Sequence, residues 1–356
     1  MEPLPVIWFT AIAVLWIGYL LLEGFDLGVG MHMIFSTRSE RDRRVMLNTI
    51  GPVWDGNEVW LITAGAALFA AFPAWYASLF STLYVPLTIT LVGLIVRAVG
   101  IEYRGKVATQ RWRDVWTWMI GLGSLIVAFC IGAALALTST GLPIDANGDR
   151  VGGPFVWLTV PAVLGGLAVV GFALAHSATF LGLKADGPVR ERAGRFAARW
   201  APLCLVPAAV WALWVQFEHG GSVLSWVFIV LAVAGAVFGW VSARRRREGF
   251  AFTGYAAFGL FGAGAVFAGM FPLVLPSTID AAFDLTVWNA ANSPYTLGVM
   301  TVVAAVALPV ILLYQGWSYW IFRARVRPGS IPEAHIVLPA VLRADARSTG
   351  GSGRVA

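Results

Sequence analysis

Hydrophobic positions in this chain follow neither the alternation of a strand nor the one-sided stripe of a surface helix. They form long runs that would be apolar all round a helix, the pattern of buried or membrane-spanning segments. Nine such stretches lie approximately at residues 6–31, 50–72, 76–99, 116–138, 155–183, 202–217, 223–243, 250–274 and 295–322. At a rise of about 1.5 Å per residue, about 20 residues cross a hydrocarbon layer roughly 30 Å thick. The runs have about that length. They predict an all-α fold, a polytopic integral membrane helix bundle with nine transmembrane helices in a single domain over residues 1–325. Residues 326–356 are expected to be a disordered cytoplasmic tail, ending in the polar run from Ser348 to Gly353. The first run follows Glu2 rather than a basic segment and leads into acids rather than a small-residue cleavage site, so it is expected to remain as a span.

Composition agrees with the pattern. Of 356 residues 58% are hydrophobic and 12% charged, about half the charge of a soluble domain. Cys130 and Cys204 both sit inside apolar runs and form no C-x-x-C pair, so they read as small buried hydrophobes. Small residues recur at helix-packing spacing, as in Gly24 with Gly28 and Gly262 with the run Gly264 to Gly269.

Net charge is +6 and the isoelectric point near 9.7, values that could suggest nucleic acid. The placement of the basic residues removes that reading. Connections after runs one, three, five, seven and nine, counting Arg97 at the end of run three, hold 24 of the 25 Lys and Arg, and the opposite side holds Arg150 alone. The positive-inside rule then puts the N-terminus outside and the C-terminus in the cytoplasm, which an odd number of spans requires. The run Arg244 to Arg247 is an orientation anchor that can also contact anionic lipid.

Candidate chemistry lies in the first two runs. A carboxylate near the bilayer centre costs about 2.5–3.5 kcal/mol even on an insertion scale, yet Glu23, Asp26, Asp55 and Glu58 all fall there. Each pair is three residues apart and shares a helix face. Counting from the cytoplasmic ends, Asp26 and Asp55 lie roughly 7 Å deep and Glu23 and Glu58 roughly 12 Å, so adjacent helices would stack them as two rungs of a ladder. Arg97 is the one cation at comparable depth, and Trp54, Asn57 and Trp60 are the nearest polar partners in sequence. One Arg cannot neutralise four carboxylates, so part of the set is expected to hold and relay protons. The alternative is that the acids only bond neighbouring groups and hold the bundle together.

Histidine is scarce. His32 lies at an inner helix end, His176 inside run five, His219 outside and His335 in the tail. A bis-histidine haem needs two facing embedded imidazoles, so no haem and no metal site is expected in this chain. The loop Asp145-Ala-Asn147-Gly-Asp149 begins like a calcium loop, but Arg150 stands where Gly is required and Val156 where Glu is required, which leaves a polar turn.

The segments Glu23-Gly-Phe-Asp-Leu-Gly-Val-Gly30 and Gly51-Pro-Val-Trp-Asp-Gly-Asn-Glu-Val-Trp-Leu-Ile-Thr63, continuing to Pro73, resemble subunit II of cytochrome bd-type quinol oxidases. Arg97 with Glu102-Tyr-Arg104, Met270-Phe-Pro-Leu-Val-Leu-Pro-Ser277, Thr296-Leu-Gly-Val-Met300 and Leu308-Pro-Val-Ile-Leu-Leu-Tyr314 add to the likeness. Runs five to seven agree with that family only in length and hydropathy. The resemblance implies a bacterial cell-membrane terminal oxidase of the respiratory chain, which oxidises quinol and reduces dioxygen to water without pumping protons. It implies a pseudosymmetric arrangement of two four-helix bundles plus one peripheral helix, set against subunit I. Subunit I would carry two b-type haems, one d-type haem and the quinol-oxidation loop; small single-helix accessory subunits and a quinone or lipid bound to this chain also occur in the family. The positions matching Asp26 and Asp55 belong there to a cytoplasmic proton pathway, and position 58 is Glu or Gln. A proton-coupled secondary transporter, the competing reading, would place its ion ligands near the bilayer midplane with an inverted repeat. A purely structural partner protein is the third.

Overall fold

The structure, a computed structural model, describes residues 2–327 apart from 38 and 108, together with residue 329. Chain order is α1 (Pro3–Phe35), α2 (Glu40–Ile50), α3 (Trp54–Ala71), α4 (Pro73–Thr82), α5 (Tyr84–Tyr103), α6 (Gln110–Thr140), α7 (Val160–Lys184) and α8 (Pro188–Arg199). There follow α9 (Ala201–Cys204), α10 (Val206–Glu218), α11 (Val223–Arg244), α12 (Glu248–Met270), a hairpin of β1 (Leu273–Leu275) and β2 (Leu285–Thr286), and α13 (Pro294–Ile321). Proline at the first turn starts several of these helices, where its missing N–H costs no hydrogen bond.

Eight helical segments are long and apolar enough to cross a membrane: α1, α5, α6, α7, α9 with α10, α11, α12 and α13. The remaining run, residues 50–72 and second in chain order, begins with the end of α2 and a turn, and continues as the 18-residue α3. Asp55, Asn57 and Glu58 in the first turns of α3 dilute its hydropathy. That is why this helix reads differently from the other eight.

Helix α1 is the hub and packs on α3, α6, α7 and α12. Three close crossings rest on glycine. A Cβ on Gly28 would lie 2.1 Å from Ala173 O, one on Gly132 2.2 Å from Gly165 O, and one on Gly254 2.4 Å from Gly239. Without a side chain, backbones approach and gain dispersion contacts that lipid cannot supply. Of the glycines singled out from spacing, Gly28 makes such an approach, whereas Gly262 meets nothing within 4 Å.

Helix α13 is peripheral, with 6% of its span buried. Polar contacts hold it: Trp8 Nε1 donates to Leu297 O (3.2 Å) and Thr301 Oγ1 (3.0 Å), and Trp60 Nε1 to Gln315 Oε1 (2.9 Å).

The connections bearing the basic residues fold into a layer that sequence reading did not anticipate. Surface helix α2 pairs with α6 through Arg43–Asp114 (2.7 Å), with the residue that caps α5 through Arg104–Glu40 (2.5 Å) and with α8 through Arg192–Asp42 (2.5 Å). Glu248 at the start of α12 takes Arg190 of α8 (2.6 Å) and Arg325 (3.0 Å). Val326, assigned to the tail, instead bonds the end of α7: its N–H donates to Lys184 O (2.8 Å) and its O accepts from Asp186 N (3.1 Å). Apart from Val326, Arg327 and Gly329, the expected tail, His335 included, lies outside the described residues.

At the opposite end, the segment before α13 folds back over the helix ends. Leu142 exchanges backbone bonds with Pro276 and Thr278 (both 3.0 Å). Asn292 donates from its backbone to Ala71 O (2.8 Å) and from its side chain to Ala70 O (3.0 Å), meeting two carbonyls that α3 leaves open. The Asp145 loop is a polar turn, with Asp145 Oδ1 accepting from Asn147 N (2.9 Å) and Asp149 N (3.0 Å).

Candidate functional site

The acids on α1 point inward. Glu23 and Asp26 are wholly buried, as are Asn57 on α3 and Arg97 on α5. Arg97 Nη1 lies 2.9 Å from Glu23 Oε1 and also bonds Glu58 Oε1, so one guanidinium joins two helices to a third. The Trp54 ring lies 6.0 Å from the same guanidinium, within cation–π range. Glu58 keeps a fifth of its side chain accessible, which makes it the outer member of the triad.

Asp26 belongs to a second, linked group. Asn57 Nδ2 donates to Asp26 Oδ2 at 2.6 Å, and Asn57 Oδ1 accepts from Tyr319 Oη (2.8 Å) and Gln315 Nε2 (3.3 Å) of α13. The amide therefore ties α1, α3 and α13 together. Asp26 Oδ1, Tyr19 Oη and the Nε and Nη2 of Arg97 find no hydrogen-bond partner within the described chain. Buried polar atoms of this kind need water or another chain to satisfy them.

The two-rung ladder expected from depth forms differently. Glu23 and Glu58 do share a rung, through Arg97. Asp26 and Asp55 do not: Asp55 is exposed, and its Oδ1 accepts from the adjacent Gly56 N at 2.8 Å. Rotation about α3 is the reason. At 3.6 residues per turn, positions 55 and 57 point about 200° apart, so turning Asn57 into α1 turns Asp55 outward. Trp60 also departs from its expected role, since it bonds Gln315 rather than an acid. Gln315, Tyr319 and Tyr19 were not picked out from the sequence. A glutamine inside an otherwise apolar run was the available signal for the first; Tyr is too common at membrane interfaces to stand out.

The buried histidines serve packing. His176 Nε2 sits 3.1 Å from Leu21 O and its ring stacks between Phe172 (5.1 Å) and Phe252 (4.6 Å). His32 Nε2 similarly meets Leu174 O at 3.2 Å. A ring stacked on both sides with Nε2 committed to a carbonyl does not fit an axial haem ligand, and among the described residues no three His, Cys, Asp or Glu side chains form a metal-holding group. His176→Ala is accordingly expected to leave unchanged the haem absorption bands that the resemblance implies for the assembled complex; loss of one haem signal would refute the packing role.

Fold and site together define a polytopic helical membrane protein organised around a buried charge cluster. Residues 4–322 match the model of the cytochrome bd terminal oxidase subunit II family, and the chain belongs to that family. Cytochrome bd ubiquinol oxidase subunit 2 of Bacillus subtilis is 38% identical over 335 residues, spanning 92% of this chain and 98% of the relative. Cytochrome bd-I ubiquinol oxidase subunit 2 of Escherichia coli K12 is 34% identical, spanning 91% and 96%. A chain in the structure of bd oxidase from Geobacillus thermodenitrificans superposes with a TM-score of 0.66 at 21% identity, over 90% of this chain and 97% of that one. The protein is thus the second subunit of a bacterial membrane-bound quinol oxidase, working in complex with subunit I. These comparisons do not favour the transporter alternative.

Proposed function

We propose that this subunit conducts protons from the cytoplasm to the site of dioxygen reduction in subunit I. One observation carries the reading: two carboxyl groups, Glu23 and Asp26, lie wholly buried in a membrane helix within a cluster that holds a single cation. Bare helix packing needs no such cost. Asp55, exposed at the first turn of α3, takes up protons; Glu58, about one turn further, receives them. Arg97 links Glu58 to Glu23, while Asn57 holds Asp26 beside them. Four protons are consumed for each dioxygen reduced to two waters, with the four electrons drawn from two quinols.

The same proposal has α3 as a ninth span, with α1, α3, α5 and α6 forming one four-helix bundle and α7, α10, α11 and α12 the other. The N-terminus is outside and the C-terminus cytoplasmic. The b- and d-type haems sit in subunit I, where they supply the redox chemistry when bound, and the outward face of α3 with Asp55 and Glu58 meets that subunit. Accessory single-helix subunits and a quinone or lipid bound here complete the complex. It is electrogenic without pumping, because protons for water formation are drawn from the cytoplasmic side. A pH dye in vesicles tests this: turnover is expected to alkalinise the compartment facing the Arg-rich connections, and alkalinisation of the other side would overturn orientation and pathway together.

A further inference from the structure

Between α8 and the end of α11 lies a groove of about 1100 Å³ whose rim is arginine: Arg192 and Arg195 with Arg199 from α8, Arg244 and Arg246 from the end of α11. Arg192 is paired with Asp42 (2.5 Å) and Arg195 lies 3.8 Å from Glu191. Arg199, Arg244 and Arg246 pair with no carboxylate among the described residues. Instead Arg199 lies over Trp200 (5.8 Å) and Arg244 over Trp240 (5.3 Å). Trp240 Nε1 donates to Ala198 O at 3.0 Å, which fixes the two walls relative to one another.

The other half of the groove is apolar. Pro202, Leu203 and Val206 line it at the start of the α9–α10 segment, with Leu203 63% and Trp200 50% exposed. Arginines above an open apolar wall, with tryptophan between, match an amphiphile whose phosphate lies at the membrane interface and whose chains enter the hydrocarbon.

Arg246 supplies an independent sign. Its φ of +56° makes it the one non-glycine among the described residues in the left-handed region. Glycine is the usual residue at such a helix end. Arginine stands there at a conformational cost, and its guanidinium reaches over Gly194, where a Cβ would stand 3.2 Å from Nη1.

We infer that this groove is a binding site for the phosphate headgroup of an anionic phospholipid, which bridges α8 to α11 on the face of the protein carrying the basic connections. The test uses the complete oxidase complex, reconstituted in vesicles of equal parts phosphatidylcholine and phosphatidylglycerol, re-extracted, and analysed for retained lipid by native mass spectrometry. The parent is expected to retain phosphatidylglycerol preferentially, and Arg199→Gln with Arg244→Gln to lower that retention about tenfold or more. Arg245→Gln with Arg247→Gln, which removes equal charge from the same run outside the groove, should leave retention intact. Equal loss in both pairs would mean diffuse charge and overturn the site. Arg246→Gly relieves the backbone strain, so it should lower retention while the complex in lipid-free detergent melts no lower than the parent; unchanged retention overturns the proposal. Inorganic phosphate should not displace the lipid, and displacement would mark a free-anion site instead.

Discussion

Asp26→Asn is expected to lower quinol-driven oxygen consumption at least about tenfold, which is roughly 1.4 kcal/mol on the limiting step, with haem content and assembly retained. The substitution preserves nearly everything except proton exchange. Asp26 Oδ2 accepts from Asn57 Nδ2 at 2.6 Å, and an amide oxygen can accept the same bond. What disappears is the carboxyl at Oδ1, the atom with no partner in the described chain. Asp55→Asn should act in the same direction, because its bond to Gly56 N is likewise one an amide oxygen can make. Glu58→Gln should cost less, since the family resemblance implies that Gln is tolerated at that position. Oxygen-electrode rates on purified complex, normalised to haem, measure all three. An assembled double variant, Asp26→Asn with Asp55→Asn, that turns over at the parent rate would exclude the pathway and leave helix cohesion as the role of these acids.

Arg97→Gln is expected to have the largest structural effect. Arg97 is fully buried and holds Glu23 at 2.9 Å together with Glu58. Removing one partner of a buried pair costs about 3–5 kcal/mol, because the remaining charge is left without compensation. Against a total stability of about 5–15 kcal/mol, that loss should appear as a large fall in complex yield and melting temperature. Arg97→Lys should recover only part of it: an ammonium keeps the charge but lacks the planar fork that reaches two carboxylates. Combining Arg97→Gln with Glu23→Gln should restore more stability than the two single losses predict, since it removes both members of the wholly buried Arg97–Glu23 pair together. A single Arg97→Gln complex that melts with the parent would show that the guanidinium contributes nothing net.

The class of the protein was legible from the chain because its physical cause is local. A run of apolar residues about 20 long crosses a bilayer whatever surrounds it, so most of the helices could be placed from the linear pattern. Arg97 was recognisable as the partner of the embedded acids because a charge at that depth must find an opposite one. Surface helices α2 and α8 were harder to see, since each is short and polar, and their order depends on ion pairs such as Arg104–Glu40 and Arg190–Glu248 between segments distant in the chain.

Rotation was what the linear pattern could not supply. Spacing alone puts Asp55 and Glu58 on one face of α3 and says nothing about which way that face turns. Packing decides it: Asn57 turns toward α1 and α13, where Asp26, Gln315 and Tyr319 meet its amide. Asp55 is thereby carried outward and Glu58 brought to Arg97. Depth in the membrane follows from counting residues along one helix, but the azimuth of a side chain depends on which neighbours satisfy its polar atoms, and those neighbours come from other helices, here 31 to 262 residues away in the chain. The sequence therefore determined the eight long apolar helices, the candidate acids and the scarcity of ligating histidines, while only the tertiary structure determined which acids share a cation and which faces outward.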